Sequence, residues 1–136
     1  MKLPIVQVAD LLEAANFGWV DPEHIYTTNV TPDEDDSGKT TFIRIQDAVG
    51  RMAYYANDIA FAQVAGVEVQ IFFSNKWSKL TKGENLTIYD AKVAVLKKLQ
   101  ANGWKIQNPL NPDTPDPDTG QKTATIYVTK ILEMEN

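Results

Sequence analysis

Three aspartates near the C-terminus, Asp113, Asp116 and Asp118, are the first residues whose chemistry suggests a site, because Ca²⁺ prefers carboxylate oxygens as ligands. An EF-hand loop places oxygen ligands at alternate positions and ends on a glutamate at the twelfth position. Counted from Asp116, the twelfth residue is Tyr127. The spacing therefore favours a solvated, turn-rich loop, and the acidic run at 33–36 is interpreted in the same way.

Residue types suited to catalysis are sparse. His24 is the only histidine, so an imidazole-based triad or metal site lacks its usual partners. The absence of cysteine excludes a disulfide frame, a thiolate metal site and a cysteine nucleophile. Glycines occur singly rather than in a phosphate-binding loop, and no two carboxylates stand in a recognisable acid–base frame. We predict no enzyme activity, no cofactor and no metal.

Trp77 lies among three lysines, Lys76, Lys79 and Lys82. Aromatic and basic side chains together form platforms for single-stranded nucleic acid. The other interpretation, which we favour, is a loop tryptophan folded back onto the edge of the core. A net charge of -5 also argues against a general nucleic-acid surface, because phosphate binding requires clustered Lys and Arg.

Length and composition predict one globular domain over residues 1–136. A chain of 136 residues with 43% hydrophobic and 23% charged residues is typical of such a domain. No apolar run is long enough for a membrane span, and the N-terminus does not resemble a signal peptide. We expect synthesis in a cytoplasm and no membrane partner.

Two helices are predicted. Apolar residues recur at helical spacing over Pro4–Ala15, with Asn16 and Gly18 to end the helix. Thr87 and Asp90 form a capping box that begins the second helix, and Asn102 with Gly103 ends it. The spacing assigns the following residues to the apolar face of this second helix: Tyr89, Val93, Val95, Leu96 and Leu99. It assigns Lys92, Lys97 and Lys98 to the solvent face.

Alternation of apolar and polar residues predicts the strands. The clearest is 66–74, in which Val67, Val69, Ile71 and Phe73 share one face. Further strands are predicted at 40–47, 104–107 and 123–132, with a short extended piece at 24–29. These elements imply an α+β fold: a mixed, mostly antiparallel sheet of four to five strands with two helices packed on one face.

Two segments are predicted as long loops. Residues 48–65 suit either a helix, from their alanines, or a loop with a turn, and we favour the loop. Residues 108–120 contain four prolines and are expected to project as an irregular polar loop. Loops of this length in a small domain are often binding elements.

Phe72 raises a separate question, because it falls on the polar face of the 66–74 strand, between Gln70 and Ser74. Either that face is partly covered within the subunit or Phe72 belongs to a contact between subunits, where aromatic residues are enriched.

Several stretches together resemble a small protein family of long-tailed bacteriophages that infect Gram-positive bacteria, encoded in the tail gene module and taken as tail-completion or tail-terminator proteins. The stretches are 2–12, Ile25-Tyr26-Thr27, 66–73, Leu96 with Leu99, Gly103-Trp104 and 116–123. Two departures occur: residues 55–61 follow the family's Gly-Asn-Asn-rich pattern only loosely, and Gly120 is an insertion.

The resemblance implies a structural protein of the virion, located at the head-proximal end of the tail. Its subunits would associate into a ring, expected to be a hexamer, between the major tail tube protein and the head–tail connector proteins. DNA would pass through the lumen without specific binding. The residues that we then expect at interfaces are Tyr54, Tyr55, Asn57, Asp58, Phe72, Trp77, Asp116 and Asp118.

Two other classes of function stay open from the sequence. A head-completion or adaptor protein of the same particle would also be small and ring-forming. A small enzyme or a non-viral binding domain would require a pocket with convergent polar groups.

Overall fold

The computed structural model describes residues 3–27, 40–56, 59–74, 87–107, 114–115 and 122–133. The helices are α1 (Pro4–Ala15), a short 3-10 helix (Pro22–His24) and α2 (Ile88–Ala101). The strands are β1 (Ile25–Tyr26), β2 (Phe42–Ala56), β3 (Ile59–Phe73), β4 (Lys105–Ile106), β5 (Thr114–Pro115) and β6 (Lys122–Glu133).

The strands form one sheet in the order β1-β2-β3-β6-β4, and the short β5 also pairs with β6. β1 runs parallel to β2, whereas every other described pair is antiparallel. Apolar residues of α1 and α2 join those of the sheet in one buried cluster, so both helices pack on the same face. The predicted α+β fold is confirmed.

Helix α1 has the predicted bounds. Pro4 occupies its first turn, where the missing N–H costs no hydrogen bond. Asn16 ends the helix in the left-handed conformation, with φ 50° and ψ 53°, a conformation that asparagine tolerates better than most residues. Val8, Ala9 and Leu12 are buried against the sheet.

Helix α2 begins with the predicted capping box. The Asp90 amide donates to the Thr87 hydroxyl at 3.0 Å, and the Thr87 amide donates to the Asp90 carboxylate at 3.1 Å. The helix is followed by Gly103, whose φ of +88° favours glycine. There the Lys130 ammonium donates to the Asn102 carbonyl at 2.9 Å, which places a cation at the helix C-terminus.

The predicted apolar face of α2 is partly wrong. Val95, Leu96 and Leu99 are buried as expected, but Tyr89 is 59% exposed and Lys92 only 7% exposed. The buried stripe runs through Ala91 and Lys92 rather than through Tyr89. A lysine can occupy such a position because its aliphatic stem buries apolar area.

β3 is the central strand, as its alternation suggested. It pairs with β2 on one side and, from Ala62 to Phe73, with β6 on the other. Val67, Val69 and Ile71 are fully buried on the helix-bearing face. In the same layer they meet four core residues of the flanking strands: Ile43, Ile45, Ile126 and Val128.

The prediction of a loop at residues 48–65 is wrong. β2 and β3 continue through this segment as a long hairpin, paired as far as Ala56 with Ile59. The register shifts by one between Ala48 and Arg51, so two residues of β2 stand opposite one residue of β3. This β-bulge breaks the period-2 pattern that identifies a strand in sequence.

The predicted loop at 108–120 also requires a correction. Thr114 and Pro115 pair with Thr123 and Lys122 of β6. Proline is accommodated because β5 is a short strand at the border of the sheet, the position where a missing N–H is tolerated. The rest of that segment lies outside the described residues.

Candidate interaction surface

The sheet has a second face, defined here as the side opposite α1 and α2. It consists of alternate residues of β1, β2, β3 and β6 that lie next to one another in the strand register. They are Tyr26, Phe42, Arg44, Gln46, Glu68, Gln70, Phe72, Thr123, Thr125, Tyr127 and Thr129. Most are polar, in contrast to the aliphatic layer on the helix-bearing face.

Phe72 is covered within the subunit. Its ring stacks on that of Phe42, with centroids 4.4 Å apart and an interplanar angle of 9°. The Arg44 guanidinium lies 5.4 Å from the Phe72 centroid, and Tyr26 meets the edge of Phe42 at 6.1 Å. Only 8% of Phe72 is exposed. Of the two possibilities raised by the sequence, the structure supports coverage at this position.

A polar network crosses the three long strands on this second face. The Arg44 guanidinium donates to the side-chain oxygen of Gln70, whose amide nitrogen donates to the Thr125 hydroxyl at 3.5 Å. With the Gln46 amide oriented so that its oxygen faces the guanidinium, it accepts from Arg44 Nε at 3.0 Å and Nη2 at 3.2 Å. The network ties β2, β3 and β6 together through their side chains.

Beside this network, Tyr127 of β6 stands opposite Glu68 of β3. The negative charge of Glu68 raises the pKa of Tyr127, and burial and a hydrogen bond between the two side chains act in the same direction. Tyr127 is still 37% exposed and Ile131, two positions further round the same face of β6, is 48% exposed. These two side chains are the large exposed apolar groups of the described part of the sheet.

Both borders of the sheet are open near the hairpin end. β1 pairs with β2 only at Ile43 and Arg44, and β4 pairs with β6 only at Thr129 and Val128. Within the described residues, no strand pairs with the outer side of β2 beyond Arg44 or with that of β6 beyond Thr129. The sheet is therefore three strands wide at this end, with unpaired backbone groups along both borders.

The structure places only part of the predicted interface set. Tyr54 and Tyr55 lie in β2, beyond the bulge, where Tyr55 pairs with Ala60. Phe72 lies on the second face. The other predicted residues lie outside the described residues: Asn57, Asp58, Trp77, Asp116 and Asp118. The predicted residues that are described do not form one cluster, since Tyr55 and Phe72 lie at opposite ends of the hairpin.

The open borders are a feature that sequence reasoning missed. Their one signal in the sequence is the run of alanines and aromatic residues on both sides of Asn57-Asp58, a turn dipeptide that separates two strands.

The described residues offer little for metal or imidazole chemistry. Among them, no three His, Cys, Asp or Glu side chains are grouped to hold a metal ion. His24 is half-buried at the end of the 3-10 helix, with its ring 6.4 Å from that of Tyr26. No helix in the described part of the chain is long and apolar enough to cross a membrane.

Comparison with known proteins gives one family. A family model described as "Protein of unknown function (DUF806)" matches residues 2–133. No curated protein matches the sequence.

Proposed function

This chain belongs to the family described as protein of unknown function (DUF806), and we propose that it is a tail-terminator subunit of a long-tailed bacteriophage. In this proposal, copies of the chain close into a ring on the last layer of the tail tube and present the opposite side of the ring to the head connector. The protein acts as a structural part of the virion, with no catalytic role.

The observation that carries the proposal is the pair of open borders at the hairpin end of the sheet. A closed ring of identical subunits needs two different complementary surfaces on each subunit, because its contacts run head to tail. The outer sides of β2 and β6 are two such surfaces, since they belong to different strands. The sequence resemblance, which extends from residue 2 to residue 123, adds the tail as the place of assembly.

The acidic balance of the chain suits the lumen of such a ring. Like charges prevent tight contact between protein and DNA phosphates, so DNA slides without being held. With a net charge of -5, the chain has acidic residues to spare for this role. Reversal of the charges that line the lumen is expected to slow DNA ejection. Unchanged ejection would contradict this part of the proposal.

The direct test of the assignment is a binding experiment with two partners. Purified protein is mixed with tail tubes that lack it and, separately, with DNA-filled heads that lack tails. We expect it to bind the ends of the tubes, visible by electron microscopy, and to leave tail-less heads bare. Binding to heads alone would instead identify a head-completion or adaptor protein, and binding to neither would contradict both.

A further inference from the structure

The two open borders have the same height and direction in the sheet. Arg51 of β2, Val64 of β3 and Ile131 of β6 form one row across the three strands. β2 and β6 are each antiparallel to β3, so they run in the same direction as each other. A second copy placed beside the first in the plane of the sheet would bring its β6 border alongside the β2 border without any shift along the strands.

Unpaired backbone groups at a strand border select another strand as their partner. Each exposed N–H and C=O can be satisfied by a neighbouring chain, and natural proteins usually protect such borders with charges, bulges or short strands. On β2 the bulge at residues 49–50 protects the border locally, but pairing with β3 resumes at Arg51 and continues to Ala56. This is enough regular strand for a parallel partner to add to the sheet.

We propose, on the basis of the proposed function, that neighbouring subunits join by parallel pairing of residues 51–53 of β2 in one copy with residues 131–133 of β6 in the next. The partner is a second copy of this chain because each subunit carries both halves of the contact in one row. Equal heights favour a closed ring, whereas an offset along the strands would produce a helical filament. The result is a sheet that continues from subunit to subunit.

A pair of cysteines tests this arrangement directly. The variant R51C/I131C places one thiol on each border in the same row, and the natural chain contains no cysteine to interfere. Ile131 is 48% exposed, so its replacement is expected to preserve the fold. A bond within one subunit is excluded by distance: β3 separates the two positions by about 9.6 Å, two strand spacings, beyond the limit of about 7 Å for a disulfide.

The oxidised double variant is examined by non-reducing electrophoresis, alone and after incubation with purified tail tubes. We expect a ladder of covalent oligomers that collapses on reduction, and no ladder from R51C or I131C alone. R51C/K122C is the matched control, because Lys122 is exposed at the opposite end of β6, where it pairs with Phe73. It is expected to stay monomeric.

Three results would overturn the inference. Monomers of R51C/I131C under both conditions would show that the borders do not meet, and an equal ladder from R51C/K122C would show unspecific contact. Dimers from R51C alone would indicate a two-fold β2–β2 contact. Binding to tail tubes without the ladder would overturn edge pairing and leave the terminator function standing, whereas the ladder without binding to tubes would do the reverse.

Discussion

Phe72 shows how one residue can serve the subunit rather than its neighbours. Its ring is stacked on Phe42 and lies beneath the Arg44 guanidinium, so most of its apolar area is already buried in the single chain. An interface role for Phe72 would have to act through this cluster, by fixing the shape of the second face. Stability of the isolated subunit is therefore the property that its replacement should change.

We predict that Phe72→Ala lowers the free energy of unfolding of the monomer by about 3 kcal/mol, because a buried aromatic ring is lost and a cavity remains. Chemical denaturation measures the change. Ile131→Ala, on the same face but 48% exposed, is the control and should cost less than about 1 kcal/mol. A monomer of Phe72→Ala with normal stability but impaired assembly would show that Phe72 acts in an interface instead.

Thr87 and Asp90 give a second prediction for single residues. Thr87→Ala removes the hydroxyl that accepts from the Asp90 amide, and should lower the free energy of unfolding by about 1 kcal/mol. The Thr87 amide, followed by its hydroxyl, lowers the pKa of Asp90. This contribution to stability is present above the unfolded pKa of an aspartate and is lost as the pH falls through the lowered, folded pKa.

Thermal unfolding as a function of pH checks this prediction. Asp90→Asn should flatten the acid limb of the stability profile relative to the natural chain, with no change near neutral pH in the shape of the curve. An identical acid limb in the two proteins would contradict the capping role of the carboxylate.

Tyr127 and Glu68 give the third prediction. Because the charge of Glu68 raises the pKa of Tyr127, Glu68→Gln should lower that pKa. The folded state then loses less stability at alkaline pH, since a tyrosine with a raised pKa stabilises fully below its unfolded pKa and less as the pH rises through the folded value. Carbon NMR of labelled tyrosine rings, assigned with Tyr127→Phe, measures the shift; an unchanged titration would show that Glu68 does not act on the phenol.

At the scale of elements, the helices and the central strand could be predicted because their signals are local. The capping box at Thr87, the proline at Pro4 and the alternation along 66–73 each depend on a few neighbouring residues. Even there, the sequence misplaced Tyr89 and Lys92 of α2, because both alternatives fit a helical period and only packing against the sheet chooses between them.

The hairpin could not be predicted in the same way. One extra residue between Ala48 and Arg51 shifts the alternation, and the glycine and turn residues of 48–65 resemble those of a loop. The open borders were also hidden, because whether a strand border is paired depends on residues distant in sequence. β1 and β4, which cover the borders elsewhere, are only two residues each.

Hydrogen exchange tests this account of the elements. In the monomer, amides of β3 between Ala62 and Phe73 should exchange slowest, because β3 is paired on both sides there. Alternate amides of β2 beyond Gln46, which face the open border, should exchange fast and become protected on assembly. Uniform protection along β2 in the monomer would mean that the border is already covered.

At the scale of the whole molecule, a sheet that ends in two unlike open borders fits a subunit built to be completed by copies of itself. The helix-bearing face is sealed by an aliphatic core and the second face is linked by polar bonds, so the borders are where the described fold lacks a partner. The terminator function adds that this completion happens on the tail tube and stops its growth.

The length of tails made with and without this protein is the measurement that tests the central claim most directly. Electron microscopy of particles from phage that lack the gene should show tails of abnormal and variable length that fail to join heads. Supplying the natural protein should restore one uniform length. Tails of normal, uniform length in its absence would contradict the terminator function.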